Sequence, residues 1–135
     1  MSRVLATVLL LVCSNIFMTA AWYGHLKFHD ASKALHLAPL KLLPVIVISW
    51  LIAFPEYLLQ VPANRIGHVN FGGPLSAPQL KVIQEAITLV VFSAFSILVL
   101  REQLRPRDIV AFGLIFLAVV IAMSGRGAPL AGGTP

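Results

Sequence analysis

Charge is what this chain has least of. Only 11% of its 135 residues are Asp, Glu, Lys or Arg, against about 25% in soluble domains. Hydrophobic residues make up 59%, for a mean hydropathy of +0.91. A water-exposed fold of that composition would be covered in apolar patches, and the same hydrophobicity excludes a disordered chain. Cysteine is nearly absent as well, and the single Cys13 rules out a disulfide scaffold. No GxSxG, GxxxxGKS/T or HExxH motif occurs, so the chain is not expected to be an enzyme. Basic residues outnumber acidic ones ten to five, but no basic stripe interleaved with aromatics is present, and nucleic acid is not an expected partner. The length holds one domain. What is left is a small integral membrane protein whose positive balance suits anionic lipid headgroups.

Four apolar stretches carry that reading: Val4–Gly24, Leu42–Gln60, Val82–Leu100 and Ile109–Ser124. A helix needs about 20 apolar residues to cross the ~30 Å hydrocarbon core. The fourth stretch is near the lower limit and would borrow length from Pro106–Asp108 or thin the bilayer locally. Continuous apolar runs, not alternation, predict helices rather than barrel strands. The expected fold is therefore all-α, a four-helix transmembrane bundle. Val4–Gly24 is longer than a signal-peptide core of about 7–15 residues and is read as an uncleaved helix.

The polar segments complete the plan. Gly24–Lys41 is a basic connector. Pro62–Lys81 contains Gly72-Gly73-Pro74 and Pro78, which stop helices. Arg101–Asp108 is short and charged, so the third and fourth helices form an antiparallel hairpin. The tail, residues 125–135, is rich in Gly and Pro and is expected to be disordered. With four spans both termini share one side. Connectors one and three hold six Lys and Arg against four on the other side, a bias too small to fix orientation.

Within the spans, charge is rare enough to be informative, because each ionised group costs roughly 2.5–3.5 kcal/mol at a helix centre. Glu56, near the predicted end of the second helix, and Glu85, near the start of the third, are placed at one mouth of the bundle. Gln60 follows Glu56 by one turn, Gln84 flanks Glu85, and Asn15 with Thr19 and Trp22 lies on one face of the first helix. Glu56, Gln60, Gln84, Glu85 and Asn15 are the candidate substrate or proton site, since intramembrane carboxylates commonly carry protons in transporters. The structural alternative pairs Glu85 with Lys81 at i,i+4, and has Glu56 meet Arg65 or cap the backbone freed by Pro55. Ala118 and Ala122 form a small-xxx-small pair suited to close helix packing. His25 and His29 have helical spacing, but no cysteine or second carboxylate joins them. Neither a metal nor a cofactor is expected.

The runs SNIFMTAAWYGHLKF (Ser14–Phe28), ISWLIAFPEYLLQVPANRIGH (Ile48–His68) and QLKVIQEAITLVVFS (Gln79–Ser93), with Leu100–Leu104 before the fourth helix, resemble a bacterial four-helix membrane family. It is known as domain of unknown function 486, within the drug/metabolite transporter superfamily, and the resemblance covers roughly Leu10–Met123. It implies a multi-pass protein of the bacterial inner membrane. Small multidrug-resistance transporters of the same superfamily act as dimers through a glutamate in helix one, where this chain reads Val12-Cys13-Ser14-Asn15-Ile16. A proton-carrying acid here would be Glu56 or Glu85 instead. The expectation is a transporter subunit for a small molecule, acting as a homo-oligomer (a dimer) or with a related membrane partner. The alternative is a non-transporting accessory or assembly protein in which both glutamates are structural.

Overall fold

Hydropathy marks where a chain meets lipid, whereas the hydrogen-bond ladder decides where a helix ends. The computed structural model of the protein, which describes residues 2–34 and 41–124, separates the two. Its helices are α1 (Arg3–Ala34), α2 (Leu42–Gly67), α3 (Ala77–Phe95) and α4 (Pro106–Ser124). A turn of 3-10 helix, Val69–Phe71, lies between α2 and α3, and a π-helical segment, Ser96–Leu100, extends α3. All four are long and apolar enough to cross a membrane, and no strand occurs among the described residues. The fold is an all-α four-helix bundle.

The start of α2 at Leu42 and the ends of the third and fourth spans at Leu100 and Ser124 fall as expected. Four other boundaries depart from the hydropathy reading for local reasons. α1 was expected to end at Gly24 but runs through His25, Lys27 and His29 to Ala34. No residue in that stretch breaks the ladder, and 32 residues at about 1.5 Å each exceed the ~30 Å hydrocarbon core. The basic connector therefore begins as helix, and its residues 35–40 lie outside the described residues, as does the tail from 125 to 135. α2 was expected to stop at Gln60 but continues to Gly67 with Pro55 and Pro62 inside it. Each proline removes one ladder bond, a loss tolerated in membrane helices where neighbours satisfy the freed carbonyl.

α3 starts at Ala77 rather than Val82 because Ser76 and Gln79 form a capping box. The Ser76 hydroxyl accepts from the Gln79 N–H at 3.4 Å, and Gln79 Oε1 accepts from the Ser76 N–H at 3.0 Å. Pro78 sits in the first turn, where its missing N–H costs no ladder bond. α4 starts at Pro106 rather than Ile109, with the Arg105 N–H donating to Asp108 Oδ2 at 2.9 Å. The fourth span thus reaches 19 residues and needs no thinned bilayer.

The interior is inverted relative to a soluble protein. Leu11, Ala21, Ala63, Leu75, Leu80 and Ala86 are buried, and so are Thr7, Ser14, Asn15, Thr19, Glu56 and Ser96, while large apolar side chains cover the outside. Lipid is as apolar as leucine, so helices associate through close packing and hydrogen bonds instead of hydrophobic burial. α1 carries most of the buried polar residues and packs on both α2 and α3; α4 packs on α3 and buries none of its own residues. The Arg3 guanidinium donates to the Phe71 carbonyl at 2.8 Å, which places the start of α1 beside the α2–α3 turn.

That turn closes one end of the bundle. The Leu75 N–H donates to the Gly67 carbonyl and the Gly73 N–H to the His68 carbonyl, both at 2.9 Å. Gly67 is where α1, α2 and α3 touch: a Cβ there would sit 2.8 Å from Leu80 Cδ2 and 2.9 Å from Thr7 Cγ2. A Cβ on Gly73 would overlap the Gly67 carbonyl. Gly67→Ala and Gly73→Ala are therefore expected to destabilise by roughly 1–3 kcal/mol through overpacking, seen as a lower melting temperature in detergent. Gly113→Ala, whose Cβ would meet nothing within 4 Å, should leave melting unchanged or raise it, since alanine favours helix over glycine by about 0.8–1.0 kcal/mol.

Candidate functional site

Extending α2 to Gly67 changes where its acid lies. Glu56 is residue 15 of the 26 in α2, close to the helix centre and about 16 Å from its C-terminal end at 1.5 Å per residue. The sequence placed it at a mouth; the structure places it in the body of the bundle. Its side chain is 5% exposed. The expected partners are not used: Arg65 instead lies over the Phe71 ring, 4.5 Å from its centroid.

Glu56 is held by Ser14. The Ser14 hydroxyl is 3.2 Å from Glu56 Oε1 and 2.7 Å from Gln60 Oε1. One hydroxyl owns one proton, so two hydrogen-bonding states satisfy the trio. In one, Glu56 is ionised and accepts from Ser14, and the Gln60 amide turns so that its N–H donates to the hydroxyl. In the other, Glu56 is protonated and donates to Ser14, which donates to the Gln60 carbonyl. The two arrangements differ only by a hydroxyl and an amide rotation, amide orientation being set by the network. The second carboxylate oxygen, Oε2, is buried and has no hydrogen-bond partner among the described residues.

Glu56 lines a cavity of about 410 Å³ walled by all four helices. Asn15, Gln84 and Glu85 line it too, so four of the five sequence candidates share one cavity, with Gln60 behind Ser14. Asn15 is fixed at both ends of its amide: Nδ2 donates to the Leu11 carbonyl at 2.8 Å, and Oδ1 is 2.6 Å from the Thr88 hydroxyl, tying α1 to α3. Glu85 differs from Glu56. It is about half exposed and pairs with Lys81 at 2.6 Å, the i,i+4 pair anticipated from the sequence. Trp22, Tyr23 and Phe92 form the aromatic side of the cavity, beside Thr19, with Tyr23 and Phe92 ring centroids 4.9 Å apart. Phe112 is the contribution of α4.

Ser14 is the site residue that the sequence candidates leave out. The available signal was the polar stripe Thr7, Ser14, Asn15 and Thr19, whose near-heptad spacing lays one seam along α1. Trp22 and Tyr23 line the cavity as well.

These features define a multi-pass membrane protein whose four helices wall a largely apolar cavity with polar groups at Asn15, Glu56 and Gln84. Residues 7–123 match the family described as "Putative member of DMT superfamily (DUF486)", DMT being drug/metabolite transporter, and the chain belongs to that family. No curated protein and no solved structure matches the chain.

Because Ser14 and Glu56 form one unit, their substitutions should not add. Ser14→Ala leaves the carboxylate without its donor and is expected to cost about 1–3 kcal/mol. In a double-mutant cycle with Glu56→Gln, an interaction energy of about 0.5–3 kcal/mol is expected, measured by unfolding in detergent. Additive losses would show that the pair is not coupled.

Proposed function

We propose that the protein is a small-molecule transporter subunit in which Glu56 binds substrate and proton in turn. One observation carries this reading: a carboxylate 5% exposed, near the middle of a membrane helix and on the wall of a cavity, has one oxygen on Ser14 and the other without a hydrogen-bond partner among the described residues. An unsatisfied polar atom at that depth is costly. Two things relieve it: a proton, or a hydrogen-bond donor on a bound molecule. Both use the same carboxylate, so each displaces the other, which is the condition for coupled exchange. The Ser14–Gln60 pair lets the site change state without moving a helix. The cavity volume of about 410 Å³ falls within the ~300–1,000 Å³ of small-molecule sites. Tyr23 and Phe92 favour a substrate with an apolar or aromatic part, and Asn15 and Gln84 offer amide contacts beside it.

In this reading Glu85, already neutralised by Lys81, is a charged rim to the cavity and not the proton carrier. One chain gives the cavity four helices, with α4 supplying a single lining residue. The working unit is therefore a homodimer or a pair with a related partner, in the bacterial inner membrane that the family resemblance implies.

The test begins with a thermal-shift ligand screen on purified protein across pH. A stabilising compound is then followed for uptake into proteoliposomes under an imposed pH gradient. Glu56→Gln keeps size and hydrogen bonding and removes titration, so it is expected to fold and to abolish pH-driven uptake, while Glu85→Gln retains it. Loss of stability in Glu56→Gln, with no separate defect in uptake, would assign the carboxylate a structural role and favour the accessory-protein reading.

A further inference from the structure

A second concave site lies at the end of the bundle closed by the α2–α3 turn. It is an open groove of about 540 Å³ between the last turns of α2 and the first turns of α3. Arg65, His68 and Lys81 line it together with the apolar Val61, Leu80 and Phe71, and no acid does. Lys81 and Gln84 also border the Glu56 cavity, but Arg65 and His68 belong to this groove alone.

Among the described residues, Arg65 and the nearby Arg3 have no counter-ion, and Lys81 alone is paired. The sequence has five acidic residues. Glu56 is buried in mid-helix; Asp30, Glu102 and Asp108 lie toward the opposite end of the bundle. Glu85 is taken by Lys81. Two guanidiniums nevertheless converge on Phe71: Arg3 donates to its carbonyl at 2.8 Å, and Arg65 covers its ring at 4.5 Å. Ring and carbonyl give both arginines positions without neutralising either. His68 adds a directed donor, because its Nδ1 accepts from the Asn70 N–H at 3.2 Å, which leaves the ring proton on Nε2.

We infer that this groove binds a phosphate ester with an apolar tail, an anionic phospholipid whose headgroup phosphate meets Arg65 and His68 while its chain lies along Val61 and Leu80. A guanidinium matches phosphate with two parallel N–H bonds. The groove is at the level where α2 and α3 reach their ends, so a lipid presents its phosphate there with its tail pointing along the helices. A soluble phosphate ester shares the headgroup chemistry but has no use for the apolar floor.

Delipidated protein in neutral detergent separates these sources. Phosphatidylglycerol, phosphatidylcholine and inorganic phosphate are added separately, with melting temperature and retained lipid by native mass spectrometry as readouts. Phosphatidylglycerol is expected to raise the melting temperature and to remain bound; the other two are not. Arg65→Gln should weaken phosphatidylglycerol binding about tenfold or more, the loss typical of a charged hydrogen bond. Arg65→Lys, which keeps the cation but not the fork, should weaken it less and serves if Arg65→Gln does not fold. Arg107→Gln removes the same charge at the opposite end and should leave binding unchanged. Equal stabilisation by phosphatidylcholine, or equal loss in Arg107→Gln, overturns the site. Stabilisation by inorganic phosphate as large as that by phosphatidylglycerol overturns the lipid assignment.

Discussion

The α1–α2–α3 core is built on hydrogen bonds between buried polar side chains, of which Ser14 to Glu56 is the central one. Inside a bilayer no water satisfies a polar group, so each must find a partner on another helix or in its own. That requirement gives α1 its central place. Its seam of Thr7, Ser14, Asn15 and Thr19 is buried, and the partners of Ser14 and Asn15 are on α2 and α3. Where the seam ends in Thr7, α2 comes close enough that only glycine fits at position 67. Close approach and hydrogen bonding are two forms of the same adhesion, since lipid offers no hydrophobic drive between helices.

α4 shows what happens without such a seam. Asp108 is used up in starting the helix, and its remaining length offers small and apolar groups only. It is joined to α3 through a π-helical segment and Arg101, which adopts a left-handed conformation at φ 58°. Its N–H donates to the Ser96 carbonyl, as does that of Glu102 at 3.0 Å. A buried serine thus terminates one helix and aims the next. The hairpin is set by local backbone bonds, whereas the α1–α2–α3 core is set by side chains.

The four spans were legible because apolar runs of membrane length have few other readings, and the Lys81–Glu85 pair because i,i+4 spacing is local. Helix ends were less legible. Hydropathy falls at Gly24, but the ladder does not care about lipid and continues to Ala34. Pro62 looked like a stop by the rules of soluble helices, yet α2 passes through it. The capping box at Ser76 and Gln79 was in plain view and would have given the start of α3. Misplacing the end of α2 moved Glu56 from the centre of its helix to a mouth, and the error hid the role of Ser14, whose level on α1 matches the true depth of Glu56 and not the expected one.

Two glutamates on the wall of one cavity also show why residue type alone does not identify a site. Glu85 has a lysine one turn away and is about half exposed, so its charge is met locally and by solvent, a state that gains little from any further ligand. Glu56 forms no ion pair among the described residues. Its neighbours are a hydroxyl and an amide, groups that can donate or accept by turning, and one of its oxygens remains unmet. A group that is fully satisfied has no reason to exchange partners, while one held by reversible neighbours has every reason to. The difference comes from three residues of context, Ser14, Gln60 and Lys81, and follows from which helix faces α1 turns toward its two neighbours.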